Sequence, residues 1–139
     1  MSSDFDPRQD YPLGARRPDL VATPGGVPLA RLTLEALRAG GLSAEDVRAS
    51  PETLRRQAEV ARAAGRSQLA ENLERAAELA SVPERLLLDV YTALRPRRAT
   101  AEQLAGWAAR LEEHGASRAA AFVREAAAVY AERGLLAHA

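Results

Sequence analysis

Apolar and polar positions separate along this chain with the 3.6-residue period of helices. The separation is cleanest from Ser50 to Ser81. There Leu54, Gln57, Ala58, Val60, Ala61 and Ala64 share one arc, and Glu52, Arg55, Arg56, Glu59 and Arg62 take the other. Past Ala64-Gly65-Arg66 the pattern resumes, with Leu69, Leu73, Ala76, Ala77, Leu79 and Ala80 opposite Glu71, Glu74, Arg75 and Glu78. Gly65 suits the left-handed end of one helix, and Ser67 is expected to cap the next. So short a connection predicts an antiparallel hairpin with its apolar faces together.

The remaining chain reads around this hairpin. Residues 1–31 hold Pro7, Pro12, Pro18, Pro24 and Pro28, five of the eight prolines. Proline lacks the helical N–H and disfavours helix in the residue before it. An extended arm is therefore expected, with a turn at Thr23-Pro24-Gly25-Gly26. Its Tyr11, Leu13, Leu20, Val21, Val27 and Leu29 exceed what a disordered tail carries and suggest an arm lying along this domain or a partner. Residues 32–139 form the expected helical domain. A helix over Leu32–Ala39 carries Leu34 and Leu37 and stops at Gly40-Gly41; Ser43 is expected to cap a short turn through Asp46. Ser50 caps the hairpin, with Pro51 at its first helical position. Pro83 opens a further helix and Pro96 closes it. Leu86, Val90, Ala93 and Leu94 make one stripe there, and Leu87, Leu88 and Tyr91 widen it past half the circumference. An arc so wide is buried on more than one side, against more core or another protein. Thr100 and Gln103 set up a capping box ahead of Leu104, Trp107, Ala108 and Leu111. The alanine-rich stretch Arg118–Arg133 is expected at the centre of the bundle, since small side chains allow close helix approach. Ser50, Leu54, Ala58, Gly65, Ser67 and Ala70 match Thr100, Leu104, Ala108, Gly115, Ser117 and Ala120 at an offset of fifty. That spacing points to two similar hairpins, with the abundance of alanine as the competing explanation.

Composition narrows the function. Nearly half of the 139 residues are apolar but few are aromatic, which favours packed helices over a sheet. Basic and acidic residues balance at 19 each, without the excess that nucleic-acid binding needs. Every basic residue is arginine. The absence of cysteine excludes disulfides, thiolate metal sites and thiol nucleophiles. No apolar run is long enough for a membrane span and no signal-peptide pattern opens the chain, so a cytoplasmic location is expected. No catalytic, cofactor-binding or metal-ligating constellation emerges. His114 and His138 lack a metal-ligand partner at helical spacing, and His114 reads as a solvated helix-end residue. Glu71 with Arg75 reads as an ordinary surface pair. Arg95-Pro96-Arg97-Arg98 is the densest basic cluster but lacks stacking aromatics. Asn72, at the edge of an apolar face, reads as a buried residue fixing packing register.

A family resemblance emerges from the strings themselves. Asp10-Tyr11-Pro12-Leu13, TPGGVPL at 23–29, LTLE at 32–35, EDVRASPETLRRQAEVA at 45–61, NLERAAELASVPE at 72–84, YTALRPRR at 91–98 and AAFVREAAAVYAER at 120–133 follow in order. Together they resemble the small subunit of adenosylcobalamin-dependent diol and glycerol dehydratases. The resemblance implies a heterohexamer with two each of large, medium and small chains. It places substrate and a metal ion on the large chain's (β/α)₈ barrel and adenosylcobalamin between large and medium chains. This chain is then a non-catalytic partner of both and carries none of the family's catalytic residues. Some relatives enter protein-shelled microcompartments through amphipathic N-terminal helices, and MSSDFDPRQD shows no such pattern. The expected interface is Tyr11, Leu13 and Leu29 on the arm with Leu87, Leu88 and Tyr91 on the wide-faced helix. The alternative is a free-standing adaptor of tetratricopeptide-like hairpins, against which the fifty-residue period counts.

Overall fold

The computed structural model describes residues 4–138, and among them every regular element is helical. Seven α-helices follow in order: α1 (Leu13–Arg16), α2 (Leu34–Arg38), α3 (Pro51–Ala63), α4 (Ser67–Leu79), α5 (Glu84–Ala93), α6 (Ala101–Glu113) and α7 (Ser117–Arg133). Contacts divide them into two compact units, one ending at Ala80 and the other beginning at Ser81.

In the first unit α3 and α4 form the expected antiparallel pair. Ala58, Ala61 and Ala70 are buried at their seam, with Leu73 packed against them. Ser50 accepts a hydrogen bond from the Thr53 N–H, as its position predicts. At the turn, the Gly65 N–H donates to the Arg62 carbonyl and the Arg66 N–H to the Ala61 carbonyl, at 3.0 and 2.8 Å. This pairing is a Schellman motif, and it needs the left-handed Gly65 at φ 75°. It also corrects the expected role of Ser67. The chain re-enters helix directly after the motif, so Ser67 is already the first helical residue and caps nothing. Asn72 is likewise exposed, its carbonyl oxygen accepting from Arg75 at 2.6 Å, because its edge position on the wheel lies outside the seam.

The second unit repeats this plan fifty residues later. Thr100 and Gln103 complete the capping box at α6. Gly115 has φ 74°, and the Gly115 and Ala116 N–H groups donate to the Glu112 and Leu111 carbonyls at 2.9 and 3.0 Å. α6 and α7 pack as the second pair, and α5 adds Leu86, Val90 and Ala93 to the buried set. Pro83 precedes α5 as its cap residue, so the helix starts at Glu84. The chain end returns on the 95–99 connection. Leu135 and Ala137 pair with Arg97 and Ala99 through backbone bonds of 2.7 and 2.9 Å, and the Tyr130 hydroxyl donates to the Leu94 carbonyl at 2.6 Å. The helix α7 is not central. It buries Ala119, Ala120 and Val123, while Ala121, Phe122 and Ala128 are exposed. Alanine fits an exposed helical face as readily as a close contact, so its abundance does not distinguish the two.

A Cβ at Gly65 or Gly115 meets no atom within 4 Å, so alanine there costs only the left-handed backbone. Gly65→Ala and Gly115→Ala should each destabilise by about 1 kcal/mol, with asparagine costing less. Urea unfolding midpoints read the difference.

Candidate subunit interface

The arm is not extended throughout. It makes one helical turn at Leu13–Arg16 and tighter 3₁₀ turns at Pro18–Leu20 and Leu29–Arg31. The expected turn does form, with the Gly26 N–H donating to the Thr23 carbonyl at 2.9 Å, and Ala22 opposite Pro28 closes a small loop. Three side chains fix this path, and none was legible from proline spacing. Arg17 donates to the Asp4 carbonyl and to the Asp10 and Asp19 carboxylates at 2.7–3.1 Å. The bond to Asp19 raises the Arg17 pKa and lowers that of Asp19. Arg56, on α3, donates to the Leu20 carbonyl at 2.8 Å and pairs with Glu52, holding the arm on the hairpin. Asp46 accepts from the Thr23 hydroxyl and from the Ser43 N–H and hydroxyl, at 2.8–3.0 Å. The turn expected to be capped by Ser43 is thus closed in the reverse sense, because the Asp46 carboxylate within it reaches back. These bonds, the Ser43 N–H foremost, hold the Asp46 carboxyl below its ordinary range.

The anchored arm distributes its apolar residues unequally. Leu13 is 2% exposed and Leu29 half-buried, so both serve their own unit first. Tyr11 stays 53% exposed. It stands beside Val60, Ala64, Leu69 and Leu73 at a groove of about 400 Å³ in the same unit. In the second unit the wide arc of α5 splits as helical geometry requires. Leu86 and Val90 point into the unit, Leu87 is half-buried, and Leu88 and Tyr91 are 60% and 62% exposed. Leu88 and Tyr91 lie three residues apart and form one outward pair. Sequence reading missed further exposed apolar side chains at Leu34, Leu37, Val47, Leu69 and Phe122. The signal for Leu34 and Leu37 was present: a five-residue helix is too short to bury both.

Among the described residues no group of three or more His, Asp or Glu side chains could hold a metal ion. His114 ends α6, its Nδ1 lying 2.9 Å from the Arg110 carbonyl oxygen, as expected of a helix-end residue. The other perturbed groups, Glu112 and Arg124, are a surface pair 2.8 Å apart, the carboxylate pKa lowered and the guanidinium raised by their mutual hydrogen bond. Among the described residues no helix is long and apolar enough to cross a membrane. Each unit presents exposed apolar side chains, Tyr11 and Leu69 in the first and Leu88 and Tyr91 in the second.

Comparison with known proteins identifies the family. The family model for the dehydratase small subunit matches residues 7–137, from the arm through α7. The chain belongs to the dehydratase small-subunit family. The propanediol dehydratase small subunit of Citrobacter freundii is 50% identical over 125 residues, covering 89% of this chain and 73% of that protein. The corresponding subunit of Salmonella typhimurium strain LT2 is 49% identical over 125 residues, covering 89% and 72%. In this dehydratase small subunit the arm from Pro7 onward and both hairpins lie within the matched family region.

The Asp46 tie gives a pH prediction. Its depressed pKa stabilises the loop at pH above the unfolded aspartate value, about 4. That contribution is lost as pH falls through the lower folded value. The protection factors of the Val27 and Ser43 amides, with intrinsic exchange divided out, should therefore fall on acidification below about pH 4, and Asp46→Ala should show the lower protection already at neutral pH.

Proposed function

We propose that this chain is the non-catalytic small subunit of an adenosylcobalamin-dependent propanediol dehydratase. The observation carrying this reading is half identity, across nine-tenths of the chain, to small subunits of propanediol dehydratases. Propane-1,2-diol is favoured over glycerol on the same ground. Partners in this reading are a large and a medium chain, two of each with two of this one. The large chain holds the substrate and a metal ion, and large and medium chains together hold the cofactor. When bound, adenosylcobalamin supplies the radical chemistry that removes a substrate hydrogen; hydroxyl migration and loss of water then leave the aldehyde. A cytoplasmic location goes with this assignment.

The contribution of this chain is attachment. Residues 1–31 act as an arm, fastened by Arg17 and Arg56, and residues 32–139 supply the helical body. The exposed Leu88 and Tyr91, with Leu87 at their edge, are proposed to dock on the large chain, and Tyr11 adds an aromatic contact from the arm. Aromatic residues are enriched and charge is depleted at the centre of such interfaces. Leu13 and Leu29 support this from beneath by shaping the arm.

Leu88→Glu and Tyr91→Glu should release this chain from the co-expressed large and medium chains, because each sets a charge in a desolvated contact. Far-ultraviolet circular dichroism of the free variants should keep the helical signal. A variant that unfolds places these side chains in the internal core and ends the docking assignment.

A further inference from the structure

The two hairpins share one backbone plan, yet one is sealed where the other is open. In the second, Leu111, Ala116, Ala119 and Val123 are all 5% exposed or less. Fifty residues earlier their counterparts are Ala61, Arg66, Leu69 and Leu73. Ala61 is buried, but Leu73 is only half-buried, Leu69 is 43% exposed and Arg66 is exposed. In two of these pairs, Leu69 against Ala119 and Leu73 against Val123, the larger apolar side chain lies in the less covered copy, while Leu111 against Ala61 runs the other way. A face kept greasy without being covered by its own chain marks a contact surface.

The lining indicates what covers it. The groove of about 400 Å³ beside Tyr11 is apolar except for Gln57 and Arg66, and Arg66 is its one charged residue. Arg66 immediately precedes α4, whose first turn carries no acidic residue and no side-chain cap. The free N–H groups of that turn and the guanidinium therefore put positive charge at one end of the groove. Val60, Ala61, Ala64, Leu69 and Leu73 contribute by excluding water, and Gln57 and the Tyr11 hydroxyl add uncharged polar groups. A segment seated there must present a large apolar side chain to the leucines and a carboxylate to the positive end.

We infer that this groove receives a segment of the large dehydratase chain carrying a large apolar residue and, within one turn of it, an aspartate or glutamate. The inference rests on the small-subunit assignment above and names a second contact, separate in sequence from the α5 pair. Tyr11 closes one side of it, in keeping with the weight of aromatic anchors at such contacts. Arg66 selects for acid through charge complementarity.

The test uses the whole complex, assembled by co-expression of all three chains. A photo-activated cross-linking residue replaces Leu69, and in a control it replaces Glu59 on the exposed face of α3. Position 69 should cross-link to a large-chain peptide containing an acidic residue, and position 59 should not. In parallel, Arg66→Glu should weaken association about tenfold, while Arg66→Lys stays near the wild type. Glutamate at a helix N-terminus is favourable to the helix, so the loss is not attributable to unfolding. Cross-links from position 69 confined to this chain or to a second copy of it, in an intact complex, overturn the groove assignment and leave the small-subunit reading standing. So does an Arg66→Glu variant that binds as the wild type does. Failure of the wild-type chain to assemble with large and medium chains removes both.

Discussion

The structure depends on close contact between helices that are lined with alanine. Ala58 and Ala70 in the first hairpin, and Ala108 and Ala120 in the second, have no exposed surface at all. Interiors pack near crystal density, so a larger side chain at these fully buried alanines would force its neighbours to shift. The seam in turn requires a sharp reversal, and the left-handed Gly65 and Gly115 provide it with two backbone hydrogen bonds each. The caps at Ser50 and Thr100 set where each first helix begins. Hairpin length, turn and seam therefore form one linked constraint, used twice.

That constraint has an energetic consequence. Burying a methylene-sized group contributes about 0.8 kcal/mol, against roughly 1.5–3 for a whole leucine side chain. An alanine seam brings helices together but supplies little of the driving force. Larger apolar residues must then be covered on the outer flanks of the hairpin. In the second unit Leu86, Val90, Leu104, Leu111 and Val123 are buried. In the first, Leu54 and Leu73 are half-covered and Leu69 is open. A family whose members are subunits fits this distribution, because a chain that completes its burial on a neighbour can leave such residues outside.

What the sequence revealed followed the range of the forces involved. Caps, the helix-ending glycines and the seam are local, and Ser50, Thr100 with Gln103, Gly65 and Gly115 stand where their patterns place them. The offset of fifty proved structural: α3 and α6 begin and end fifty residues apart. The failures were of two kinds. Ser67 lost its capping role because the turn motif delivers the chain straight into helix, an outcome set by the backbone geometry of the turn itself. The path of the arm, the exposure of Asn72 and the open face of α7 depend on tertiary contacts. Arg56 reaching Leu20, thirty-six positions away, leaves no periodic trace. At α5, the width of the apolar arc was readable. Its division into a buried Leu86 and Val90 and an exposed Leu88 and Tyr91 needed the packed unit.

Duplicated hairpins raise a pairing problem, since α3 could in principle accept α7 and α6 could accept α4. The two copies differ in a way that bears on it. Arg62 of α3 pairs with Glu74 of α4 at 3.5 Å, and fifty residues later Glu112 of α6 pairs with Arg124 of α7 at 2.8 Å. The polarity is reversed at equivalent positions. Crossed pairing in the same geometry would oppose Arg62 to Arg124 and Glu112 to Glu74. Exposed pairs of this kind contribute at most about 1 kcal/mol, and like charges cost a similar amount. Electrostatics therefore biases the choice without deciding it. Side-chain volume weighs more heavily: Leu69 and Leu73 stand where the second copy has Ala119 and Val123. A tightly sealed α6 has no room for the bulkier pair. Short loops add the last part, because closing a tight turn costs less entropy than closing the roughly fifty residues between α3 and α7 or the roughly twenty between α4 and α6. Charge, volume and loop length all favour the hairpins that form, which is the consistency expected of a sequence that specifies one fold.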